Sequence, residues 1–356
     1  MTIRLIQVGL GPWGRDWAAN VLPIAEDIEI AAVADTDPAA IDAAKAHGLL
    51  SSINTFSSLT DAIDNVDADA VLVTASISAH ALLVRTALEA GLHVLVEKPF
   101  AESVEQARPL VELAESRGLT LTVAQNYRYD AAPMLASRLL HERVLGDLKG
   151  ISVDFRRLYV YDERSAHPEI DHDILLQIAV HHFDLMRAMV RREAKSVYCQ
   201  TWTPPGSPSS IPTAATAVVD FGADVLATYR ANMRSTGDET PWSGVWRMEC
   251  ADGDIVWYES VWKLGDLHWD YAQRVPGRVE IRRRDQPTEI RALGTTVENR
   301  FVVFERFIEA VRGGAEVATS GRDNLGSLAL MNAARRSAAL GKPVAVLDPH
   351  AASADR

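Results

Sequence analysis

The first third of the chain alternates short, nearly continuous apolar runs with helical stretches. Apolar runs of this kind are typical of parallel strands that are buried on both faces of a sheet. The predicted strands are Arg4–Val8, Ile28–Ala34, Ala70–Thr74, His93–Val96 and Thr120–Ala124. The predicted helices between them open at Asp37, Ser78 and Ser103 and close at Gly48, Gly91 and Gly118. This alternation predicts an open α/β sheet.

The pattern changes after Ala124. A predicted helix (Pro133–Glu142) leads into an alternating strand (Leu148–Arg157), and a polar loop precedes a helix from about Asp173 to Val190. Candidate antiparallel strands follow at Ser196–Thr201, Ala214–Phe221, Val225–Met233, Val245–Ala251 and Asp254–Tyr258, and the closing helices are Glu298–Arg312 and Arg322–Leu340. We therefore predict a first domain over residues 1–124 and an α+β domain with a mostly antiparallel sheet over residues 125–356. The final helix, about residues 322–340, is expected to pack back toward the first domain.

Length and charge narrow the class of protein. The 356 residues carry a net charge of -12, which argues against nucleic acid as the main partner because such binding needs a basic face. The basic run Arg282–Arg284 is interpreted as a solvated strand edge. Cys199 and Cys250 have no metal or redox spacing and are expected to be reduced core residues of a cytoplasmic protein. The N-terminus is interpreted as a strand, and no window is apolar enough for a membrane helix.

The sequence GLGPWG, residues 9–14, directly follows the first strand and opens a helix. This is the GxGxxG pattern in the context that dinucleotide binding requires. Gly9 permits the tight turn, Gly11 lets backbone amides approach a pyrophosphate, and Gly14 lets helix and strand pack closely. Pro12 costs nothing in a first helical turn. The motif predicts that the N-terminal domain is a Rossmann dinucleotide-binding domain.

Asp35 follows the second strand, where the acid that binds the ribose belongs. A carboxylate there accepts hydrogen bonds from the ribose 2′-hydroxyl and repels a 2′-phosphate. The next residues are Thr36 and Asp37, without an arginine to hold a phosphate. We therefore expect NAD as the cofactor, with NADP disfavoured.

The strand His93–Val96 ends at Glu97, Lys98 and Pro99. Ligands of open α/β sheets lie at the carboxyl ends of the strands, so Lys98 is expected near the nicotinamide. Glu97 is expected to be its neighbour or a ribose ligand. A partly desolvated lysine beside a nicotinium ring should have a lowered pKa, in the range useful for acid–base chemistry.

Together, GLGPWG, Asp35, EAGLHVLVEKPF (residues 89–100) and IAVHHFDLM (residues 178–186) resemble the Gfo/Idh/MocA oxidoreductases. The resemblance extends to AQNYRY (residues 124–129) and to TSGRDNLGSLALMNAARRSA near the end of the chain. It implies a Rossmann domain followed by an α+β domain with a large open sheet, which commonly mediates homodimers or homotetramers. It also implies chemistry on a ring hydroxyl of a sugar or cyclitol.

The family pattern on the helix of the second domain is Asp-x-Gly-x-His-x-x-Asp. Here the pattern places Gln177 at the first acid, and His181 and Asp184 at the catalytic histidine and the second acid. In a regular helix, positions 177 and 181 share a face, as do 181 and 184. Lys98, His181, Gln177 and Asp184 are therefore the predicted catalytic residues. Asp184 or Asp173 is an alternative source of the missing carboxylate, and His182 is interpreted either as a structural residue or as a substrate contact.

The predicted ligand contacts form two sets. Those for the cofactor are Gly9, Gly11, Pro12, Trp13, Gly14, Asp35, Thr74, His80, Glu97, Lys98 and Asn126. Those for the substrate are Tyr161, Arg164, His167 and His182. The histidine spacings match no standard zinc pattern, and no metal is expected.

These features predict an NAD-dependent oxidoreductase that transfers hydride between nicotinamide and a ring hydroxyl or ketone of a sugar, cyclitol or related polyol. Two alternatives remain open. One is a redox-neutral enzyme that retains NAD, oxidises a sugar transiently, eliminates a substituent and reduces again. The other is a non-catalytic NAD-binding regulator, which the glutamine at position 177 keeps open.

Overall fold

A computed structural model describes residues 2–351, apart from residues 26, 50–52, 159–172, 208–210, 259–260, 265–268, 276, 294–298 and 315–316. The chain divides into two compact units. Unit 1 comprises residues 1–126 and 297–328, and unit 2 comprises residues 127–296 and 329–356. The predicted fold class is confirmed, since a parallel sheet at the N-terminus is followed by a larger, mostly antiparallel sheet.

Unit 1 is built on a six-stranded parallel sheet with strand order β3-β2-β1-β4-β5-β6. The strands are β1 (Ile3–Val8), β2 (Ile28–Ala34), β3 (Asn54–Phe56), β4 (Ala70–Val73), β5 (His93–Val96) and β6 (Leu121–Val123). The helices are α1 (Pro12–Asn20), α2 (Pro38–Ala46), α3 (Leu59–Asn65), α4 (Ile77–Glu89) and α5 (Val104–Ser116). The strand order reverses between β1 and β4, which is where doubly wound sheets bind their ligands.

Two local features of unit 1 differ from the sequence prediction. Strand β3 was not predicted, because it pairs only with β2 at the edge of the sheet and its exposed and half-buried residues lack an apolar run. Helix α4 begins at Ile77 after Ser76, although the predicted start was Ser78. The two serine hydroxyls lie 3.3 Å apart, and neither pattern nor propensity distinguishes between two such adjacent start signals.

Unit 2 contains a nine-stranded sheet with order β16-β15-β12-β11-β7-β10-β9-β8-β17 and a separate hairpin, β13-β14. The strands are β7 (Leu148–Arg156), β8 (Ser196–Trp202), β9 (Ala214–Asp220), β10 (Leu226–Asn232), β11 (Val245–Cys250), β12 (Gly253–Tyr258), β13 (Val261–Leu264), β14 (Trp269–Val275), β15 (Arg278–Arg283), β16 (Glu289–Ala292) and β17 (Val344–Ala345). All pairings are antiparallel except that of β7 with β10. The helices are α6 (Ala131–His141) and α7 (Val180–Val190).

The basic run is not at a sheet edge. Arg282 and Arg283 lie on β15, which pairs with β12 on one side and β16 on the other. The carboxylate of Glu280 on the same strand binds the Arg282 guanidinium, with a separation of 2.5 Å between Oε2 and Nη2. Ion pairing therefore accommodates these charges inside the sheet. Cys199 is a buried free thiol, as expected, whereas Cys250 is only half-buried.

The end of the chain is shared between the units. The predicted division placed all residues after 124 in one domain, but residues 297–328 group with unit 1. This segment contains α8 (Asn299–Val311) and the start of α9 (Gly321–Leu340). Val123 donates a backbone hydrogen bond to Thr319 at 2.9 Å, so the segment continues the hydrogen bonding of β6. Apolar periodicity does not report such long-range pairing.

Candidate active site

The loop 9–14 has the geometry of a dinucleotide-binding turn. Gly9 has φ +96°, a conformation that favours glycine, and a Cβ there would collide with the backbone of Ala75. A Cβ on Gly14 would collide with the carbonyl of Gly9, whereas a Cβ on Gly11 would meet nothing within 4 Å. Helix α1 begins at Pro12 without a side-chain cap. The open space at Gly11 and the uncapped helix N-terminus fit a pyrophosphate.

Two buried side chains hold this loop in place. The Thr74 hydroxyl donates to the Gly9 carbonyl at 2.7 Å, and Gln7 Nε2 donates to the Gly14 carbonyl at 2.7 Å. The Thr74 hydroxyl also lies 3.2 Å from the Val8 carbonyl and accepts from Gln7 Nε2 at 3.2 Å, and its predicted cofactor contact stays a prediction. Gln7 carried no sequence signal, because a polar residue inside an apolar strand is explained only by the partners that the fold brings to it.

Asp35 lies beyond the end of β2 and faces the glycine loop. Its Oδ2 accepts a hydrogen bond from the Leu10 amide at 2.6 Å, and its Oδ1 accepts one from the Asp37 amide at 2.8 Å. Each carboxylate oxygen has a further acceptor position, so the group can still bind ribose hydroxyls. The geometry therefore fits the ribose-binding role that the sequence predicted.

Glu97 at the end of β5 is a buried carboxylate with protein partners. Its Oε1 accepts hydrogen bonds from the indole Nε1 atoms of Trp13 at 2.7 Å and Trp17 at 2.8 Å. Its Oε2 accepts from the Lys98 amide at 3.1 Å. These bonds give Glu97 a structural role next to Lys98, one of its two predicted positions, and the ribose contact stays a prediction. Lys98 is half-buried and is joined to Pro99 by a cis peptide bond.

His80 contacts the backbone that follows Lys98. Its Nδ1 lies 2.8 Å from the Pro99 carbonyl and its Nε2 lies 3.0 Å from the Ala75 carbonyl. Burial lowers the pKa of His80 more than these two carbonyls raise it. The ring is fully enclosed, so His80 holds the backbone after Lys98 and is not placed to contact a cofactor directly. Asn126 is half-buried, and its Nδ2 donates to Asn299 Oδ1 at 2.7 Å.

In unit 2 the histidine helix is not a regular α-helix. Residues Leu175–Ala179 form a π-helical turn, and α7 continues from Val180. Such turns occur mostly as single insertions in α-helices, often at functional sites. Gln177 is the only residue of this turn that is not buried. The sequence predicted regular α-helical spacing between positions 177 and 181. This prediction is wrong, because Gln177 lies in the wider π-helical turn.

His181 is buried and stacks on Tyr127. The ring centroids are 4.1 Å apart and the planes are inclined by 17°. Tyr127 belongs to a short 3₁₀ turn, Asn126–Tyr129, inside the AQNYRY motif. This partner was missed, although the motif that follows the last strand of the parallel sheet was the available signal.

Both candidate substitutes for the missing carboxylate are engaged elsewhere. Asp184 accepts two hydrogen bonds from the Arg128 guanidinium, at 2.6 and 2.7 Å, and lies 3.8 Å from Arg187. Asp173 Oδ1 accepts from the Leu175 amide at 2.8 Å at the start of the helix. Both carboxylates therefore fix the local structure.

His182 is fully buried. Its Nδ1 lies 2.9 Å from the Tyr229 hydroxyl and its Nε2 lies 2.9 Å from the Trp242 carbonyl. Burial lowers the pKa of His182 to about 4. Both nitrogens have protein partners, which fits the structural interpretation of His182, and the substrate contact stays a prediction. The other predicted substrate residues, Tyr161, Arg164 and His167, lie outside the described residues.

Two features are absent from the part of the chain that the structure describes. Its helices include none long and apolar enough to cross a membrane. Within the same residues, no group of three or more His, Cys, Asp or Glu side chains is placed to hold a metal ion.

Known proteins match this chain over nearly its whole length. An uncharacterized protein of Sinorhizobium fredii, y4oX, is 27% identical and covers 97% of this chain and 96% of its own. An inositol 2-dehydrogenase of Rhizobium meliloti is 25% identical and covers 97% of this chain and 100% of its own. A solved oxidoreductase from Agrobacterium radiobacter, in complex with NAD⁺, L-tartaric acid and magnesium, has a TM-score of 0.82 at 19% identity, covering 97% and 99% of the two chains.

Two family models account for most of the sequence. Residues 3–125 match the oxidoreductase family with an NAD-binding Rossmann fold, and residues 134–255 match the C-terminal domain of the same family. These matches agree with the dinucleotide-binding geometry of unit 1 and with the large sheet of unit 2. The chain belongs to the Gfo/Idh/MocA family of oxidoreductases.

Proposed function

We propose that the protein is an NAD(H)-dependent dehydrogenase that acts on a ring hydroxyl or ketone of a sugar, cyclitol or related polyol. The observation that carries this proposal is the placement of Lys98. It follows β5 at the carboxyl edge of the sheet, and Glu97 and His80 hold the backbone on either side of it. The inositol 2-dehydrogenase relative supports the substrate class.

The residues of unit 1 fit the cofactor. The amides at the start of α1 and the open space at Gly11 would receive the pyrophosphate, and Asp35 would bind the ribose of the adenosine half. When bound, NAD supplies the hydride acceptor. The negative charge of Asp35 disfavours a 2′-phosphate, so NAD is the proposed cofactor and NADP is disfavoured.

Lys98 and His181 are the proposed groups that take and return the proton of the substrate hydroxyl. Lysine and histidine side chains serve as proton donors and acceptors in enzyme sites, as this step requires. The carboxamide of Gln177 can donate and accept hydrogen bonds and would orient the hydroxyl without carrying charge. Asp184 keeps a supporting role, because Arg128 and Arg187 bind its carboxylate.

The test is a panel of sugars, cyclitols and polyols, with the purified protein assayed for net formation of reduced nicotinamide. Native mass spectrometry of the same preparation reports any dinucleotide that the protein retains. Net NADH with an alcohol substrate supports the proposal. Turnover of a sugar without net NADH would replace it by the redox-neutral alternative, and dinucleotide binding without any turnover would favour the regulator.

We also propose that the nine-stranded sheet joins two or four copies of the chain. One face of its central strands carries Leu226, which is 50% exposed, and Val218, which is 42% exposed and pairs with Thr228. An ion pair lies near them, since Arg230 is 2.7 Å from Asp154. Both residues line a cavity of about 390 Å³. A face that carries apolar groups and both signs of charge can pair with its own copy about a two-fold axis.

This oligomer is tested by size-exclusion chromatography with light scattering. Leu226→Glu places a charge at the centre of the proposed interface and should reduce the oligomer to smaller species. Leu82→Glu is the matched control, because Leu82 on α4 is 67% exposed and lies in unit 1. An unchanged mass for Leu226→Glu would refute this interface. The cytoplasmic location stays a prediction.

A further inference from the structure

The carboxylate of Glu97 is held more firmly than a strand terminus requires. Glu97 is only 5% exposed, and its carboxylate accepts hydrogen bonds from two indoles and one backbone amide. A buried carboxylate is unfavourable unless such donors replace water. The third donor is the amide of Lys98, so the side chain of Glu97 fixes the backbone of the residue that follows it.

Trp13 connects this carboxylate to the glycine loop. It occupies the fifth position of GLGPWG, and its indole N–H donates to Glu97 Oε1 at 2.7 Å. The guanidinium of Arg300 lies over its ring, 4.4 Å from the centroid. Arg300 is 3% exposed and lies 2.5 Å from Asp16 on the same helix as Trp13. The indole is therefore fixed along its edge by an anion and across its face by a cation.

Stability alone does not account for Trp13. Trp17 is fully buried, packs against Phe304 and also donates to Glu97 Oε1, so it satisfies both the core and the carboxylate. Trp13 is 41% exposed, and its ring contributes little to the core. It adds a second donor from the loop that fits the pyrophosphate. The feature that distinguishes Trp13 from Trp17 is its place in that loop.

We propose that Trp13 is a positioning residue that ties the dinucleotide-binding loop to Lys98 through Glu97. We call Trp13, Trp17, Glu97 and Arg300 the tryptophan clamp. The clamp links the dinucleotide-binding loop to Lys98, so the two keep a fixed relative position. This inference rests on the proposed function, because it assigns a purpose to the position of Lys98.

The direct test is Trp13→Phe, which keeps an aromatic face for Arg300 and removes the N–H that binds Glu97. A hydrogen bond to a charged group is worth about tenfold or more in an equilibrium. We expect kcat to fall at least about tenfold with Kd for NAD⁺ within about threefold of wild type. Trp202→Phe is the control, since Trp202 on β8 is equally exposed, at 41%, and lies in unit 2. Wild-type kcat in Trp13→Phe would overturn the proposal.

A double-mutant cycle tests the route through Glu97. In a Glu97→Gln background the carboxylate is gone, so adding Trp13→Phe should lower kcat by less than about threefold. An undiminished tenfold loss in that background would show that the indole acts elsewhere and would overturn the proposal.

A second readout is independent of turnover. Quenching of tryptophan emission during titration with NAD⁺ should be largely lost in Trp13→Phe and kept in Trp202→Phe. Equal quenching in both variants would place Trp13 away from the dinucleotide. The two proposals fail differently: full activity of Lys98→Ala refutes the proposed function, whereas an inactive Lys98→Ala beside a fully active Trp13→Phe refutes only the clamp.

Discussion

The ring of Tyr127 lies flat against the imidazole of His181, with centroids 4.1 Å apart. The stack fixes the plane of a buried imidazole on a helix that begins with an irregular turn. A ring so placed cannot rotate without losing its aromatic contact. Tyr127 therefore limits the directions in which the nitrogens of His181 can exchange a proton.

Removal of the stack should lower activity without abolishing it. Aromatic pairs are worth about 0.5–1.5 kcal/mol, which corresponds to a loss of about two- to tenfold in kcat/KM for Tyr127→Ala. Tyr127→Phe keeps the stacked ring and should retain most of the activity. Tyr198→Ala, at a half-buried tyrosine on β8, is the control. A Tyr127→Ala enzyme indistinguishable from wild type would mean that the stack has no bearing on catalysis.

Lys98→Ala should remove turnover while leaving the cofactor site intact. Loss of a proton-transfer group costs on the order of 10²–10⁴ in rate. The dissociation constant of NAD⁺ should change only a few-fold, because the glycine loop and Asp35 are untouched. Lys45→Ala, at an exposed position of α2, controls for removal of a surface charge. Steady-state kinetics with the best substrate would contradict the assignment if kcat were retained.

Asp35 should determine cofactor choice. Replacement by serine removes the charge that opposes a 2′-phosphate. The dissociation constant of NADP⁺ divided by that of NAD⁺ should therefore fall. Fluorescence titration of both cofactors measures this ratio, with Asp42→Ser on α2 as the control. Tighter binding of NADP⁺ than NAD⁺ by the wild-type protein would overturn the proposal.

Gln177→Asp should shift the pH dependence of kcat/KM. A carboxylate favours the protonated form of a neighbouring base, so the acidic limb of the profile should move to higher pH. The comparison needs the wild type, Gln177→Asp and the control Gln200→Asp, an exposed residue of β8. Superimposable profiles in active proteins would place residue 177 outside the proton path.

His182 should make the protein less stable in mild acid. Burial lowers its pKa from 6.5 to about 4. Between these two pH values His182 is therefore protonated in the unfolded state and neutral in the folded state. The stability that this neutral histidine contributes is complete above about pH 6.5 and falls as the pH approaches about 4. Between about pH 6.5 and about pH 5, His182 lowers the free energy of unfolding by about 2 kcal/mol.

Urea denaturation at about pH 7.5 and about pH 5 measures this effect. His182→Gln should show a free energy of unfolding that depends less on pH, by about 2 kcal/mol between these conditions. His47→Gln, at an exposed histidine after α2, should keep the wild-type dependence. Equal dependence in wild type and His182→Gln would show that His182 titrates alike in both states.

Local sequence was sufficient for the elements whose chemistry lies within a few residues. The strand–GLGPWG–helix unit is specified by Gly9 and Gly14, where a Cβ would collide with backbone, and by a proline in the first helical turn, where it is readily accommodated. The largely apolar runs of β1, β2, β4 and β5 appeared where they were predicted, because strands buried on both faces are mostly apolar. Asp35 was identified by its distance along the chain from the glycine loop, a spacing that the β-α-β unit itself imposes.

Tertiary structure alone decided what the polar residues around these elements do. Glu97 became the acceptor for Trp13 and Trp17 because folding places α1 against the end of β5, across 84 and 80 positions of the sequence. Asp184 was matched to a family acid, but its carboxylate accepts hydrogen bonds from Arg128. The π-helical turn at Gln177 could not be predicted from the apolar pattern. The physical reason is the same in each case: apolar burial depends on the residue's own surface, whereas a buried polar group takes its role from the partner that replaces water.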